Sequence, residues 1–523
     1  MYDLLFRNAR IVDGSGSPWY RADLAVAGDR IAAIGKLDGA EAGRTIDCRE
    51  VVLAPGFFDL HVHSDLMLLA EPRHEAKIFQ GVTTELLGQD GLSYAPISRQ
   101  KLPLLRRFLG GLNGDPDIGW DWSSVAEYMA KFDRKASVNV AFLIPLCAVR
   151  VEAMGFEARP ATEPELQRMR DLVAEGMRDG AIGLSTGLTY PVNAWADTDE
   201  LVELCRVVAR LGGIYVTHMR YTLGDGLHEP IEEAIAIGER AGLPVHISHF
   251  KGARGGVHDV AGALGLVDRA RARGLDVTLD AYQYNAGSSM LQALLPMWVH
   301  EGGPERVLER IAEPAVRQRL REERRANPPD WASYTLASVG STRNQALEGR
   351  VVADLIAESG KDAVDWACDL LLEEDLKVSQ RQWDGQSDED IVPVLQHPAQ
   401  MIGSDGLLVG SALHRRTYGT FARVLGRYVR ELGALRLEEA VRKMTAAPAA
   451  RIGQTDRGLL RPGMRADLVV FDPDTVAERA TWDQPRQLAT GFTHVVVNGQ
   501  PVLADGEHAG STPGRALRLR SVP

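Results

Sequence analysis

The sequence lacks long apolar segments and has few cysteines, and both absences narrow what the protein can be. No run approaches the about 18 uninterrupted apolar residues that a membrane-spanning helix needs. The first residues, MYDLLFRNARIVDG, do not have the basic-then-apolar pattern of a secretory signal. Neither a disulfide framework nor a zinc knuckle is indicated, because the four cysteines are scattered and form no C-x-x-C pair: Cys48, Cys147, Cys205 and Cys368. We therefore expect a cytoplasmic protein.

The sequence also lacks a net positive charge. Its 59 Lys and Arg residues are outnumbered by 71 Asp and Glu residues, which gives a formal net charge of −12 at pH 7. This balance argues against nucleic acid or an anionic membrane as a partner. An anionic substrate would need local cations to hold it. The composition leaves a homo-oligomer open.

The length and the ends of the chain predict its domain organisation. With 523 residues the chain is too long for one ordinary core, and 45% hydrophobic with 25% charged residues is typical of a globular protein. Residues 1–54 alternate short β-like pieces with turn signals, and residues 446–523 return to the same pattern. We therefore predict a small, β-sandwich-like domain built from both termini, with residues 55–445 inserted between its two parts.

The central segment repeats strand, loop and helix. His218 and His249 are 31 residues apart (249 − 218), about one βα unit. The number of such units predicts an α/β fold with a parallel (β/α)8 TIM barrel, and the alternative, a doubly wound open sheet, lacks a supporting glycine-rich phosphate loop. Residues 289–396 break this rhythm, and a long insertion of this kind is usually functional. Three leucines at its start are interpreted as core of the insertion rather than as a pocket wall: Leu291, Leu294 and Leu295.

Histidines follow the first strand of the predicted barrel. Residues 51–55 are apolar, and His61 and His63 come after them. Residues i and i+2 of an extended strand point to the same side, so these two imidazoles form half of a zinc-type site. By itself the pair is equally compatible with two surface histidines.

Three more polar residues close later apolar strands and favour the metal interpretation. They are His218, His249 and Asp405. Because a (β/α)8 barrel carries its chemistry at the C-terminal ends of its strands, we expect all of these side chains to meet at one end of the barrel.

A series of motifs, in one order, spans nearly the whole chain. They are YDLLFRNARIVDGSG, APGFFDLHVHSD, GVTTELLGQDG, GLSTGLTYP, THMR, ISHFK, DAYQYNAGSS, GSDG, YGTFARVLG, TAAPAARIG and GMRADLVVFDP. With these motifs the sequence resembles the N-acyl-D-amino-acid deacylase (D-aminoacylase) family of the amidohydrolase superfamily. The resemblance implies metal-dependent hydrolysis of the amide bond of N-acyl-D-amino acids.

The resemblance also implies roles for individual residues. His61 and His63 would line one metal position, and His218 and His249 would bind a second, tightly held zinc. Asp405 would be the catalytic acid and base. We therefore expect one tightly bound zinc, with a weaker second site.

Four further positions match residues that contact the substrate in this family. Lys251, Tyr282 and Arg416 match positions that hold the substrate carboxylate, and Tyr190 matches a pocket tyrosine near the reacting carbonyl. Lys251 and Arg416 would then be the local cations that an anionic substrate requires in this acidic chain.

Two stretches depart from the family pattern. The family commonly has Gly-Asn-Cys-Gly after its second strand, with the cysteine as a zinc ligand, whereas this chain has Gly-Gln-Asp-Gly with Asp90. Asp90 can bind zinc through oxygen, and this harder ligand would shift metal preference toward manganese or cobalt. The alternative is that Asp90 is only part of an Asp-Gly turn. Where the family commonly has Gly-His-Gly at the end of its third strand, this chain has Pro-Leu-Cys at residues 145–147. We interpret Cys147 as a buried small hydrophobic residue.

These residues predict a hydrolytic mechanism. A divalent metal held by His218, His249 and Asp90 would convert a bound water to hydroxide near neutral pH, and this hydroxide would attack the amide carbonyl. Asp405 would accept the proton of the water and pass it to the leaving amine.

Three other functions stay open or are disfavoured. The first is another linear-amide hydrolase of the same fold, acting on an unusual dipeptide or a lactam. The second is a metal-poor, non-catalytic scaffold. A cyclic amidase with a carbamylated lysine is disfavoured, because no lysine closes the fourth strand at residues 184–187.

Overall fold

The structure is a computed structural model that describes residues 1–254, 257–326 and 328–519. Within these ranges, no helix combines the length and the apolar character that crossing a lipid bilayer requires.

The chain begins with five strands: β1 Tyr2–Ile11, β2 Tyr20–Ala27, β3 Arg30–Gly35, β4 Ala42–Asp47 and β5 Val52–Pro55. Residues 57–281 then alternate strands with helices. In chain order these elements are β6 Phe57–Asp59, β7 Val62–His63, α1 Met67–Ala70, α2 Glu75–Ile78, β8 Val82–Leu87, α3 Leu102–Phe108, α4 Gly110–Asn113, α5 Val125–Ala130, β9 Asn139–Pro145, α6 Leu146–Met154, α7 Glu163–Arg178, β10 Gly183–Gly187, α8 Thr198–Arg210, β11 Ile214–His218, α9 His228–Ala241, β12 Val245–Ile247, β13 Ala253–Arg254, β14 Val257–His258, α10 Val260–Ala272 and β15 Val277–Ala281.

In the structure the insertion follows the strand β15 and comprises residues 286–396, which include the predicted range 289–396. It contains β16 Ala286–Met290, α11 Pro304–Ala312, α12 Pro314–Ala326, β17 Tyr334–Ser338, α13 Val352–Ser359, α14 Ala363–Glu373, β18 Ser379–Trp383 and α15 Asp388–Gln396. The rest of the chain forms β19 Gln400–Ile402, β20 Gly406–Leu407, α16 Arg416–Arg423 with a π-helical continuation Val424–Glu431, α17 Leu437–Met444, α18 Ala446–Arg451, β21 Leu468–Phe471, β22 Phe492–Val497, β23 Gln500–Ala504 and β24 Glu507–His508.

Local sequence signals specify the ends of the barrel helices. Thr162 and Glu165 form a capping box at the start of α7, which satisfies backbone N–H groups that have no partner inside the helix. Asp197 accepts a hydrogen bond from the Glu200 N–H at the start of α8. Gly242 ends α9 in the left-handed conformation, with φ of 73°, which glycine adopts without a steric penalty.

The central strands form the predicted parallel barrel. In the described residues they make an eight-stranded sheet in the order β19-β15-β12-β11-β10-β9-β8-β6. The two edge strands approach each other where the Leu60 N–H donates to the Ile402 carbonyl oxygen at 3.5 Å. Beyond this contact, β7 pairs in parallel with β20. The (β/α)8 prediction is therefore confirmed, and the C-terminal ends of the strands meet at one end of the barrel.

Strands from both ends of the chain form a separate sheet. Its nine strands run in the order β24-β23-β22-β21-β5-β1-β2-β3, with β4 beside β1. The two halves join where β5 pairs antiparallel with β21. The prediction of a separate β domain made by both termini is confirmed, and its boundaries at residues 54 and 445 stay predictions.

The insertion has its own sheet and core. The strand β18 lies between β16 and β17 in an antiparallel three-stranded sheet. Leu291 belongs to an apolar cluster formed within the insertion, and Leu294 and Leu295 pack against it. These leucines therefore lie in the core of the insertion, in agreement with the sequence interpretation.

Candidate metal centre and substrate cavity

His61 and His63 lie together at the C-terminal end of the barrel. Their ring centroids are 5.5 Å apart and both side chains are buried. The Nε2 atom of His61 is 3.5 Å from Oδ1 of Asp90, and Nε2 of His63 is 3.4 Å from Oδ2 of the same carboxylate. Oδ1 of Asp405 lies 3.4 Å from Nε2 of His63. The ligand atoms of these four residues lie within 4.8 Å of one another.

A second group of donors shares Asp90 with the first. Nδ1 of His218 lies 2.9 Å from Nε2 of His249. Oδ2 of Asp90 is 3.8 Å from Nδ1 of His218 and 3.6 Å from Nε2 of His249. These three donors also lie within 4.8 Å of one another. The structure thus brings all five predicted metal ligands and Asp405 into one place.

Asp90 reaches this place through a left-handed turn. Its φ is 55°, between Gly88 with φ of 78° and Gly91 with φ of 63°. The Ser185 hydroxyl on β10 holds the turn, since it accepts a hydrogen bond of 3.1 Å from the Gly91 N–H and donates to the Gly88 carbonyl oxygen. Asp90 is therefore part of a turn, as one interpretation of the sequence had it, and its carboxylate also faces the four histidines.

The donor set fits a divalent cation. Nε2 of His61 and Oδ1 of Asp90 face each other at 3.5 Å, are buried and have no hydrogen-bond partner among the described residues. Buried polar atoms in proteins almost always have a partner, so these atoms are placed for a ligand. Imidazole nitrogens with carboxylate oxygen suit zinc, and also cobalt or manganese.

The electrostatics of the site agree with an ionised Asp90. Burial by itself lowers the pKa of His61, but the carboxylates of Asp90 and Asp280 outweigh it and raise that pKa well above its ordinary value. Burial acts to raise the pKa of Asp90, and the imidazoles of His61 and His249 overcome it and hold the pKa well below its usual range. The carboxylate is thus charged, as a metal ligand must be.

The carboxylate of Asp280 contacts His61, His246 and His249. One of its oxygens lies 3.5 Å from Nδ1 of His61 and 3.0 Å from Nε2 of His246, and the other accepts the His249 N–H at 2.9 Å. Carboxylates in such positions orient metal-binding imidazoles. Asp280 is not among the site residues predicted from the sequence, although it is a carboxylate near the end of an apolar strand, like Asp405.

Asp405 and Arg416 form a buried pair beside the histidines. Nη2 of Arg416 lies 2.9 Å from Oδ2 of Asp405, and the guanidinium lies 4.4 Å from the centroid of the Tyr282 ring. Burial acts to raise the pKa of Asp405, but Arg416 and His63 hold it below its ordinary value. Arg416 is fully buried and contacts this carboxylate, and its role in holding a substrate carboxylate stays a prediction.

A cavity of about 150 Å³ opens onto these groups. The predicted residues that line it are His63, Asp90, Tyr190, His218, His249, Lys251, Tyr282 and Asp405. Nζ of Lys251 forms an ion pair with Asp384 and lies 5.1 Å from the Tyr282 ring centroid. The Tyr190 hydroxyl shares a 3.2 Å hydrogen bond with the Ser289 hydroxyl.

The insertion supplies wall residues to which the sequence alone assigns no chemical role. They are Gly287, Ser288, Ser289, Gln380, Gln382 and Asp384. Gly287, Ser288 and Ser289 end the motif DAYQYNAGSS, but no local pattern links them to Gln380 and Gln382, because the two sets meet only through the pairing of β16 with β18. Cys147 lies outside the site, and burial raises the pKa of its thiol to about 12, which agrees with its interpretation as a buried hydrophobic residue.

Known proteins resemble this chain in sequence and in fold. The model of the amidohydrolase family matches residues 44–503. The chain is 38% identical to a D-aminoacylase of Alcaligenes xylosoxydans xylosoxydans, over 99% of this chain and 97% of that protein. A crystal structure of N-acyl-D-glutamate deacylase from Bordetella bronchiseptica, complexed with zinc and a phosphonate mimic of the tetrahedral intermediate, matches with a TM-score of 0.83, 34% identity and 99% coverage of both chains. A D-aminoacylase structure described for its binuclear metal centre matches with a TM-score of 0.82 and 34% identity over 99% of this chain and 100% of that one.

Proposed function

The chain belongs to the N-acyl-D-amino-acid deacylase family of the amidohydrolases, and we propose that it hydrolyses the amide bond of N-acyl-D-amino acids to a carboxylate and a free D-amino acid. One observation carries this proposal: the donors of Asp90, His218 and His249 share a cavity with Asp405 and with the cation of Lys251. A metal site, a proton carrier and a carboxylate-binding group are what this hydrolysis needs.

His218, His249 and Asp90 would hold the tightly bound metal, and His61 and His63, with Asp90, would form the weaker second site. Zinc is the expected ion, and the oxygen donor of Asp90 makes cobalt and manganese acceptable replacements. When bound, such a cation supplies Lewis-acid polarisation of the scissile carbonyl and a nucleophile from water at neutral pH.

Asp405 transfers a proton from the attacking water to the leaving amine. Since its carboxylate is held ionised by Arg416 and His63, it begins the reaction as a base. It lies at the first donor group, 3.4 Å from Nε2 of His63, where it can accept the proton of the attacking water at Oδ1 or Oδ2. Passing that proton to the amine nitrogen makes the amine a neutral leaving group.

Lys251 and Tyr282 bind the substrate carboxylate. Both line the cavity, and the Lys251 ammonium lies over the Tyr282 ring. This cation explains how a chain with a net charge of −12 can accept an anionic substrate. Tyr190, on the same cavity wall, would orient the reacting carbonyl. The D configuration comes from the named activities of the relatives.

Assays of the metal-loaded protein with racemic N-acetyl amino acids, followed by chiral analysis of the released amino acid, test the proposal. We expect the D enantiomer to be released and the L enantiomer to stay acylated. Release of the L enantiomer alone, or hydrolysis restricted to dipeptides or lactams, would show that the enzyme acts on a different class of amide substrate. A protein that binds metal and releases no amine from any of these compounds would be a scaffold.

We also propose that the protein acts on small molecules in the cytoplasm, without a nucleic-acid or membrane partner. The acidic composition argues against a nucleic-acid or anionic-membrane partner. Recovery of the native protein in a membrane fraction would contradict it.

A further inference from the structure

One strand of the insertion presents polar side chains to the cavity. Alternate residues of a strand point to the same side, and Gln380 and Gln382 on β18 both line the cavity, with Asp384 two residues further on. On the neighbouring strand β16, Ser289 lies opposite Gln380 and Gly287 lies opposite Gln382. This wall is therefore made of amide, hydroxyl and carboxylate groups.

Gln380 has an unused hydrogen-bonding group in this wall. Its side chain is buried, with only 4% of the residue exposed, and Oε1 has no hydrogen-bond partner among the described residues. A buried amide without a partner is destabilising unless a ligand or water completes its hydrogen bonds. Gln380 is thus placed to exchange hydrogen bonds with a bound molecule.

The position of Lys251 shows which part of the substrate meets this wall. Lys251 pairs with Asp384, at the end of the wall, and it is the group that we propose for the substrate carboxylate. In an N-acyl amino acid the carboxylate and the side chain are attached to the same carbon. In the proposed function the scissile bond meets the metal-binding histidines, so the acyl group would extend to their side of the cavity and away from Lys251. The polar wall therefore lies beside the side chain of the substrate.

The charges of the wall act against a substrate that has an acidic side chain. Among the described side chains that line the cavity, Lys251 is the only lysine or arginine, and it already serves Asp384 and, in the proposed function, the carboxylate on the α-carbon of the substrate. A carboxylate side chain would meet the Asp384 carboxylate with no cation left to compensate. Leu112 is the one aliphatic side chain in the described lining, so an apolar side chain would leave the amide of Gln380 unpaired.

From this arrangement we infer that the enzyme selects N-acyl-D-amino acids with uncharged, hydrogen-bonding side chains, above all the carboxamides D-glutamine and D-asparagine, through Gln380 and Gln382. This inference rests on the proposed function. It distinguishes this chain from a deacylase for an acidic D-amino acid.

The test compares kcat/KM of the metal-loaded enzyme for the N-acetyl derivatives of D-glutamine, D-glutamate, D-methionine and D-lysine. We expect D-glutamine to exceed D-glutamate and D-methionine by about tenfold or more, because a site built for hydrogen bonds discriminates against analogues that lack them. Gln380→Met, which is close in volume, should lower the D-glutamine to D-methionine ratio about tenfold. Gln382→Met is the second variant, in case the first does not fold.

Two controls make this result specific. Gln345→Met, at an exposed position of the insertion, should leave all the ratios unchanged. Asp384→Asn should narrow the D-glutamine to D-glutamate ratio, since it removes the charge that repels the glutamate side chain. Metal content and thermal melting of each variant confirm that its site is intact.

The outcomes separate the two claims. Hydrolysis of the D substrates with D-glutamate, D-methionine or D-lysine preferred would overturn this inference and leave the proposed function standing. A change in acyl-chain preference in Gln380→Met, with the side-chain ratios unchanged, would also overturn it. Failure to hydrolyse any D substrate would remove the proposed function, and the inference with it.

Discussion

The Nδ1 atom of His218 lies 2.9 Å from the Nε2 atom of His249, although the two residues come from the ends of different barrel strands. Oδ2 of Asp90 lies within 3.8 Å of both nitrogens. Two nitrogen donors and one oxygen donor at such separations form a site for a divalent cation. Asp90 belongs to both donor groups, so we expect metal binding to depend on it more than on any other single residue of the two groups.

Replacing Asp90 by cysteine should change the choice of metal. A thiolate is a softer ligand than a carboxylate, so we expect Asp90→Cys to bind zinc about tenfold more tightly and to lose activation by manganese. Competition with a chromophoric chelator measures the zinc affinity. Cys147→Ala is the matched control, because Cys147 lies outside both donor groups in the described residues. Equal zinc affinity in Asp90→Cys and the wild type would show that residue 90 does not bind the metal.

Removing the charge of Asp405 should stop proton transfer. We expect Asp405→Asn to lower kcat by at least about 10²-fold, the size of a general acid–base contribution. The metal at His218 and His249 should be retained, since Asp405 is not part of that donor group. Steady-state kinetics on samples of known metal content measure both quantities. A variant that keeps its metal and loses less than a few-fold in kcat would assign proton transfer to another group.

Arg416 should act mainly on Asp405. Because the guanidinium lies 2.9 Å from the Asp405 carboxylate and is fully buried, we expect Arg416→Met to lower kcat by about tenfold or more, with a smaller effect on KM. Arg416→Lys, which keeps the charge, should recover part of the loss and guards against misfolding of the methionine variant. A large rise in KM with kcat unchanged would instead give Arg416 the carboxylate-binding role that the family resemblance implies.

Asp280 should hold His61 in its metal-binding orientation. Loss of such a supporting carboxylate typically weakens metal binding by about 10–100-fold, and we expect Asp280→Asn to do so at the site of His61 and His63. Isothermal titration of the metal-depleted protein measures this affinity. Asp276→Asn is the control, since Asp276 lies on the exposed surface just before the same strand. Equal affinities in the two variants would leave Asp280 with a structural role only.

The sequence is sufficient to predict the barrel and the meeting of most candidate metal ligands at one end of it. The repeat of strand and helix is local, and it places His218 and Asp405 at the same end of a parallel barrel as His61 without any knowledge of distant contacts. The role of Asp90 is harder to predict, because this residue adopts the left-handed conformation of a turn, with φ of 55°. An Asp-Gly turn and a metal ligand look the same in sequence, and only the neighbouring strands decide which way the carboxylate points.

The wall of the cavity could not be predicted in the same way. Gln380 and Ser289 meet because β16 and β18 pair across the length of the insertion, and no periodic pattern links two such distant residues. The contact between Arg416 and Asp405 likewise depends on where α16 begins after the last barrel strand. The family resemblance supplied Arg416 as a functional residue, but its partner in the folded chain is a tertiary property.

Metal content and D-specific hydrolysis, measured on the same samples of the wild type and of Asp90→Ala, test the account most directly. We expect the wild type to carry about one tightly bound divalent cation per chain and to release free amino acid from N-acetyl-D-methionine and N-acetyl-D-glutamine. Asp90→Ala should lose both the metal and the activity while it keeps the fold, as judged by circular dichroism. A wild type that stays metal-free and inactive after zinc, cobalt or manganese is added would contradict the account. An Asp90→Ala variant that keeps full metal and activity would contradict it as well.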